Sequence, residues 1–311
     1  MASIKNLLQS PPEQLQDFLN SFDVVLSDCD GVLWHLEKPI PGAMDALKRL
    51  KNLGKKVYLV TNNSTTSTDH YSQKIRKLGL EIHPEEIITT AKVIAWYLKK
   101  INFRDEAFVI STPVFRQVLL DGGIKLAEEN PLINESNPVE TVRSIQNSRS
   151  IKAVIVDFSL YCDWVKLAFA ISCLERDDVL YLSGAQDEWV ICSSDSKILG
   201  PGPLIDVITK QSGRSPIECA KPSRILREFI LETCSIQDPT RCLFIGDTID
   251  HDMKFGTLCG FQKLLVQTGL STVEDAEQLK ETRPDFYISS LGTMCTLMDS
   301  MHIDSSKMKA S

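Results

Sequence analysis

The chain has 311 residues, room for two domains that each bury a core, and is 43% hydrophobic and 24% charged. Its formal net charge of −7 speaks against nucleic acid, which asks for a basic face, and no apolar run nears the ~20 residues that span a bilayer. Nine cysteines without a CxxC pair fit reduced thiols better than a disulfide framework or a zinc site, so a cytoplasmic location is expected.

The first twenty residues, MASIKNLLQSPPEQLQDFLN, are amphipathic and interrupted by prolines, unlike a signal or transit peptide. Ser10-Pro-Pro-Glu13 reads as a capping box with proline in the first turn, opening a short helix through about Asn20. FDVVLS is then a continuous apolar strand. Pro41-Gly42 opens an amphipathic helix that aligns Ala43, Leu47 and Leu50 and stops at Gly54. The strand KKVYLV runs into Thr61-Asn62-Asn63-Ser64, and a helix follows from about Thr68 to Leu78. Strands apolar on both faces, alternating with helices, indicate a parallel sheet covered by helices.

The middle of the chain carries its own elements: strands AFVIS, KAVIVDF and VLYLSG, and the helix DWVKLAFAISCLER, with a polar, linker-like stretch over 128–150. The C-terminal third returns to the first style. SRILREFILETC is a helix, RCLFI a strand ending at Gly246-Asp247, DMKFGTLCG a helix, KLLVQT a strand and FYISS a last short one, with a loose tail after about Met301. The expected architecture is α/β: a Rossmann-like parallel-sheet core of residues 1–100 and 209–311, with a smaller α/β domain of 101–208 inserted.

In open parallel sheets, ligands bind beyond the carboxyl ends of the strands. Three strands here end in polar residues: Asp28-Cys29-Asp30, Thr61-Asn62 and Gly246-Asp247, with Asp250 and Asp252 just beyond. Asp28 and Asp30 are two apart, so in extended chain they project to one side while Cys29 points away. Two carboxylates ~4 Å apart repel by roughly 4 kcal/mol at an effective dielectric near 20. Such a crowd calls for a cation, and oxygen-only ligands call for a hard one, usually Mg²⁺. Mg²⁺ held by carboxylates most often serves phosphate chemistry. Thr61 and Asn62 can donate to phosphoryl oxygens, and Ala220-Lys221-Pro222-Ser223 places a lysine at the start of a helix, where an anion is favoured. Taken singly, each piece is more often a turn residue, a helix cap or a surface pair.

Together, Asp28-Cys-Asp30-Gly-Val-Leu-Trp34, Thr61-Asn62-Asn63-Ser64, Lys221-Pro222-Ser223 and Gly246-Asp247 with Asp252 resemble the four motifs of haloacid dehalogenase-like phosphatases. The closer resemblance is to the branch with a large cap (C2-type) inserted between the second and third motifs, which includes phosphoglycolate phosphatases, chronophin and p-nitrophenylphosphatases. Ile40-Pro41-Gly42-Ala43, Lys166-Leu167, Thr268-Gly269-Leu-Ser-Thr272 and Pro284-Asp285-Phe286-Tyr287 are similar to that branch too.

The resemblance implies that Asp28 attacks phosphorus to form an aspartyl-phosphate. Asp30 would protonate the leaving oxygen and then activate water. Thr61, Asn62 and Asn63 would bind phosphate, and Lys221 would neutralise it and orient Asp28. Asp28, the Asp30 backbone carbonyl and Asp247 would bind Mg²⁺, with Asp252 supporting them. An Asp with a reference pKa of ~3.9 is an available anionic nucleophile at pH 7, and like charge nearby can raise Asp30 enough for acid work.

Departures from the family pattern fall on other positions. Ala220 stands for Gly, Thr248 for Arg, Thr65 to Thr68 lack a basic residue, Gly184-Ala185-Gln186 replaces a Thr-Asn pair, and the loop from Asp157 lacks an Asp-Pro. They leave substrate identity open.

The implied activity is Mg²⁺-dependent hydrolysis of small phosphomonoesters, with phosphoglycolate or glycerol phosphate favoured and pyridoxal phosphate or a phosphoprotein the alternative. A catalytically weak regulatory or binding homologue is the reading from another class. A homodimer through the cap is expected, with KAVIVDF or VLYLSG supplying the edge.

Overall fold

The computed structural model describes residues 4–128, 137–146, 149–193 and 196–300; the expected tail and most of the first half of the linker-like stretch lie outside them. The chain forms two compact units, one drawn from residues 1–61, 68–88 and 230–311, the other from 62–67 and 89–229.

The first unit is built on a seven-stranded sheet. Its order is Lys5–Asn6, Phe286–Ile288, Gln262–Val266, Cys242–Gly246, Val24–Ser27, Lys56–Thr61, Ile87–Thr89. Every pair whose register is described in it is parallel. The central strands read as uninterrupted apolar runs because both of their faces are covered: Val25, Leu26, Leu243, Phe244, Ile245 and Leu264 have no exposed surface. The helix Ala43–Asn52 turns Ala43, Ala46, Leu47 and Leu50 into this core, and Gly42 enters it in the left-handed conformation at φ 74°.

The second unit carries a five-stranded parallel sheet in the order Ile217–Glu218, Leu180–Ser183, Ile151–Val156, Glu106–Ile110, Lys125–Leu126. Trp189–Ser193 and Ser196–Leu199 form a separate antiparallel hairpin. KAVIVDF and VLYLSG therefore offer no edge. The first is the central strand and the second is its neighbour, itself flanked by Ile217–Glu218, and both are apolar for the same reason: Ala153 to Val156, Tyr181 and Leu182 are buried.

The expected cap boundaries at 100/101 and 208/209 fall inside this unit. It extends from Thr89 because the helix Thr90–Lys100 packs here, its Ala95 lying beside Gly122 and its Trp96 edge-on to Phe229 at 5.5 Å. Within the stretch read as linker, Pro138–Gln146 is a helix that buries only Thr141 and Ile145, a stripe too thin to show through its polar composition. Among the described residues no helix is long and apolar enough to cross a membrane.

Candidate active site

Cys242–Gly246, Val24–Ser27 and Lys56–Thr61 lie side by side, so the three polar strand ends foreseen in the sequence share one edge of one sheet. The Asp28 N–H donates to the Ile245 carbonyl at 2.9 Å, carrying the ladder one residue past its strand. There the chain turns. The amides of Val32, Leu33 and Trp34 close on the Cys29 carbonyl, and Gly31 adopts φ +83°. Asp28 stays buried and Cys29 packs into the core, as their alternation requires.

The Asp28, Asp247 and Asp252 side chains are all buried, and each offers a carboxylate oxygen within 4.8 Å of the others. At that separation each charged pair repels by about 3 kcal/mol at an effective dielectric near 20.

Asp252 is held by its neighbours. Its Oδ2 accepts from the Asp247 amide at 3.0 Å, the Thr248 amide at 3.0 Å and the Thr248 hydroxyl at 2.9 Å. The backbone that presents it is a single π turn over Ile249–Met253, in which the Met253 N–H reaches back five residues to the Thr248 carbonyl at 3.1 Å. Thr248, a departure from the family pattern, is thus the residue that caps this turn and anchors Asp252.

A loop from Thr268 closes around Asp247. Leu270 N–H donates to Asp247 Oδ2 at 3.3 Å, Ser271 N–H to the Asp247 carbonyl at 3.1 Å, and the Thr268 hydroxyl to the Gly31 carbonyl at 2.6 Å. The fit leaves no room for a side chain, since a Cβ on Gly269 would stand 1.7 Å from Asp247 Oδ2 and one on Gly31 2.4 Å.

The Asp30 carboxyl is outside the three-carboxylate group; its Oδ1 accepts the Trp34 indole N–H at 3.1 Å. Trp34 is 1% exposed, stacks on Tyr71 at 5.8 Å between centroids, and has the Lys74 ammonium 4.4 Å from its ring centroid. Trp34 closes the first motif in the sequence, and its role as a donor to Asp30 is visible only in the fold. Thr61 is the buried last residue of its strand.

Asn62, Asn63 and Lys221 belong to the second unit. Asn62 pairs with the backbone of Lys221 in both directions, Oδ1 accepting from its N–H at 2.9 Å and Nδ2 donating to its carbonyl at 3.3 Å. Asn63 Oδ1 accepts from the Thr65 amide and hydroxyl at 3.0 and 2.7 Å, an Asx turn that shapes the loop. Lys221 is buried but precedes the helix Arg224–Thr233 rather than opening it, because Ser223 is the cap, its hydroxyl accepting from Leu226 N–H at 3.1 Å.

Three buried carboxylates with oxygen donors alone fit a hard divalent cation such as Mg²⁺. His251, in the same π turn, is not a member of the group.

Residues 25–125, which hold Asp28, Asp30, Thr61, Asn62 and Asn63, match a family model described as haloacid dehalogenase-like hydrolase. Residues 218–294, with Lys221, Asp247 and Asp252, match a second, described as HAD-hydrolase-like. The 4-nitrophenylphosphatase of Schizosaccharomyces pombe is 30% identical over 92% of this chain and 97% of its own. The chain belongs to the haloacid dehalogenase-like hydrolase family. Another relative, the glycerol-3-phosphate phosphatase of Mus musculus, is 28% identical over 91% of this chain and 92% of its own. Among solved structures, the 4-nitrophenylphosphatase of Thermotoga maritima is similar with a TM-score of 0.74 at 25% identity, over 89% of this chain and 98% of that one. The two model matches leave residues 126–217 between them, which hold the departures at the Asp157 loop and at Gly184-Ala185-Gln186.

Proposed function

We propose that the protein is a Mg²⁺-dependent phosphomonoesterase that acts on small phosphorylated metabolites through an aspartyl-phosphate. The observation that carries this reading is the gathering of Asp28, Asp247 and Asp252, all buried, at one sheet edge of a chain in this hydrolase family. Phosphatase relatives covering nearly the whole chain support the reaction class.

Asp28, a carboxylate, attacks phosphorus. The bond from phosphorus to the ester oxygen breaks, and that oxygen leaves as an alcohol with a proton from Asp30. Asp30, now a carboxylate, takes a proton from water, whose oxygen attacks phosphorus, releasing inorganic phosphate and restoring Asp28. The Trp34 N–H on Asp30 Oδ1 fixes this carboxyl through both half-reactions. Thr61, Asn62 and Asn63 donate to phosphoryl oxygens, and Lys221 supplies a positive charge for them. Asp28, Asp247 and the Asp30 carbonyl are the residues that would hold the cation, whose charge offsets that of the phosphoryl oxygens.

Residues 101–208 are proposed as the part that selects the substrate, with glycerol phosphate and phosphoglycolate as the favoured chemistry: a short polyol or acid bearing one phosphate. A homodimer through this part, in the cytoplasm, completes the proposal.

The test is turnover of p-nitrophenyl phosphate with and without Mg²⁺, beside Asp28→Asn. Activity is expected only with the cation and the intact carboxylate. Turnover that survives chelation or the substitution would overturn the mechanism.

A further inference from the structure

The second unit holds a buried carboxyl with no part in the chemistry above. Asp157 directly follows Ile151–Val156, the central strand of the five-stranded sheet, and is 2% exposed. Its amide donates to the Ile110 carbonyl at 2.9 Å, fixing it at the carboxyl end of that strand. Its Oδ1 accepts from the Phe158 amide at 2.5 Å. Its Oδ2 accepts from the Ala185 amide at 3.3 Å and the Thr90 hydroxyl at 3.1 Å. Gly184 makes room for it, since a Cβ there would stand 1.7 Å from Asp157 Oδ2.

From Thr90 the contacts continue to the segment that bears Asn62 and Asn63. The Thr90 hydroxyl touches the Ser64 hydroxyl, and Ser64 Oγ accepts from the Ala91 amide at 3.4 Å. Each hydroxyl has one proton to give. With Thr90 donating to Asp157, Ser64 must donate to Thr90, and the chain runs one way from the Ala91 N–H through Ser64 and Thr90 to Asp157. All three side chains are buried, so breaking any link strands a polar group away from water.

We propose that Asp157 is a positioning residue, which through Thr90 and Ser64 fixes the conformation of the Asn62–Ser67 loop and so the presentation of Asn62 and Asn63 to a phosphate. The consequence for turnover rests on the phosphatase reading; the anchoring of the loop does not. Burial pushes the Asp157 carboxyl up to about 7. Asp187, after Leu180–Ser183, is the charged group whose field reaches it and adds to the rise; Ile110, Thr90, Ser64 and Ala185, which bond it or continue its chain, are uncharged.

The experiment compares Asp157→Asn, Ser64→Ala, Thr90→Val, Thr90→Ser and the Asp157→Asn/Ser64→Ala double variant. An amide cannot accept at both oxygen positions, so Asp157→Asn gives up either the Phe158 bond or the Ala185 and Thr90 bonds, and its NH₂ then faces those donors. Expected are a five- to tenfold rise in KM for p-nitrophenyl phosphate with kcat within twofold for Asp157→Asn, Ser64→Ala and Thr90→Val. Thr90→Ser keeps wild-type values, and the double variant is no worse than either single. Hydrogen–deuterium exchange of the peptide covering residues 62–67 should be at least fivefold faster in the three impaired variants and unchanged in Thr90→Ser.

Additive effects in the double variant, or wild-type exchange of that peptide in Thr90→Val, would overturn the proposal. If Asp157→Asn fails to fold, the Thr90 pair and Ser64→Ala decide it. If the wild type turns over no phosphomonoester, the phosphatase reading fails, while the exchange measurements still decide the anchoring.

Discussion

Replacing Gly269 by alanine tests how tightly the acid group is built. The added Cβ would lie 1.7 Å from Asp247 Oδ2, against 3.4 Å or more for ordinary contact, so loop and carboxylate must part by about 1.7 Å. The loop is the side that faces water, but it cannot back away freely. Its Thr268, Leu270 and Ser271 bond the Gly31 carbonyl, Asp247 Oδ2 and the Asp247 carbonyl, and moving it breaks those bonds. If Asp247 moves instead, it leaves a ligand position that Mg²⁺ tolerates to about 0.2 Å around 2.0–2.1 Å. Either route should weaken Mg²⁺ binding about 10- to 100-fold, the usual cost of disturbing the groups that orient a ligand.

Titration calorimetry with MgCl₂ reads this directly. Gly79→Ala is the control: Gly79 has φ +88° with nothing within 4 Å of the added atom, so it should lose about 1–2 kcal/mol of stability and no cation affinity. Gly269→Ala binding Mg²⁺ within twofold of a wild type that itself binds would refute the reasoning.

Asp252→Ala removes the acceptor of three donors on a residue only 1% exposed, and should cost about 2–4 kcal/mol in urea unfolding, whereas Asp252→Asn, which keeps an acceptor, should cost about 1 kcal/mol. Trp34→Phe keeps the stack on Tyr71 and deletes the donor to Asp30; kcat should fall about tenfold with KM within twofold, and an unchanged kcat would remove Trp34 from the mechanism. Asp157 makes stability depend on pH. Its folded pKa of about 7 lies above the ordinary 3.8, so the native state binds the extra proton between those values. Its contribution is present in full below about pH 4 and declines as pH rises to 7, by at most about 4 kcal/mol at about 1.4 kcal/mol per pH unit. Denaturation of wild type and Asp157→Asn at pH 5 and 7.5 should show the variant gaining ground at the higher pH; parallel profiles would contradict the raised pKa.

The part of the fold that gathers the three acids was legible because its signals are local. Val24–Ser27, Lys56–Thr61 and Cys242–Gly246 are apolar runs that stop abruptly at Asp28, Asn62 and Asp247, and parallel order alone lines those ends up. The second unit was harder for physical reasons. Pro138–Gln146 buries two side chains, so its composition resembles that of a loop. KAVIVDF and VLYLSG are apolar because they are interior, and an apolar strand does not announce which neighbour covers it. Trp34, Thr248 and Asp157 gained their roles from hydrogen bonds made in the fold, and no spacing rule encodes those. Gly184-Ala185 and the loop from Asp157 looked like two separate departures from a pattern. In three dimensions they are one, since the carboxyl of Asp157 fills the volume a side chain at 184 would need.

The π turn at Ile249–Met253 gives the acid group an unusual sensitivity. An α-helical turn advances about 100° per residue, so a turn carrying one residue beyond the α pitch sets the azimuth of everything on it. Removing one residue ahead of Asp252 would let the segment relax to ordinary α-helix and swing residue 252 away from Asp28 and Asp247, with every side-chain type at the site retained. At this spot the hereditary variable that matters is chain length, and a single-codon deletion could silence the site while leaving each of its motifs recognisable.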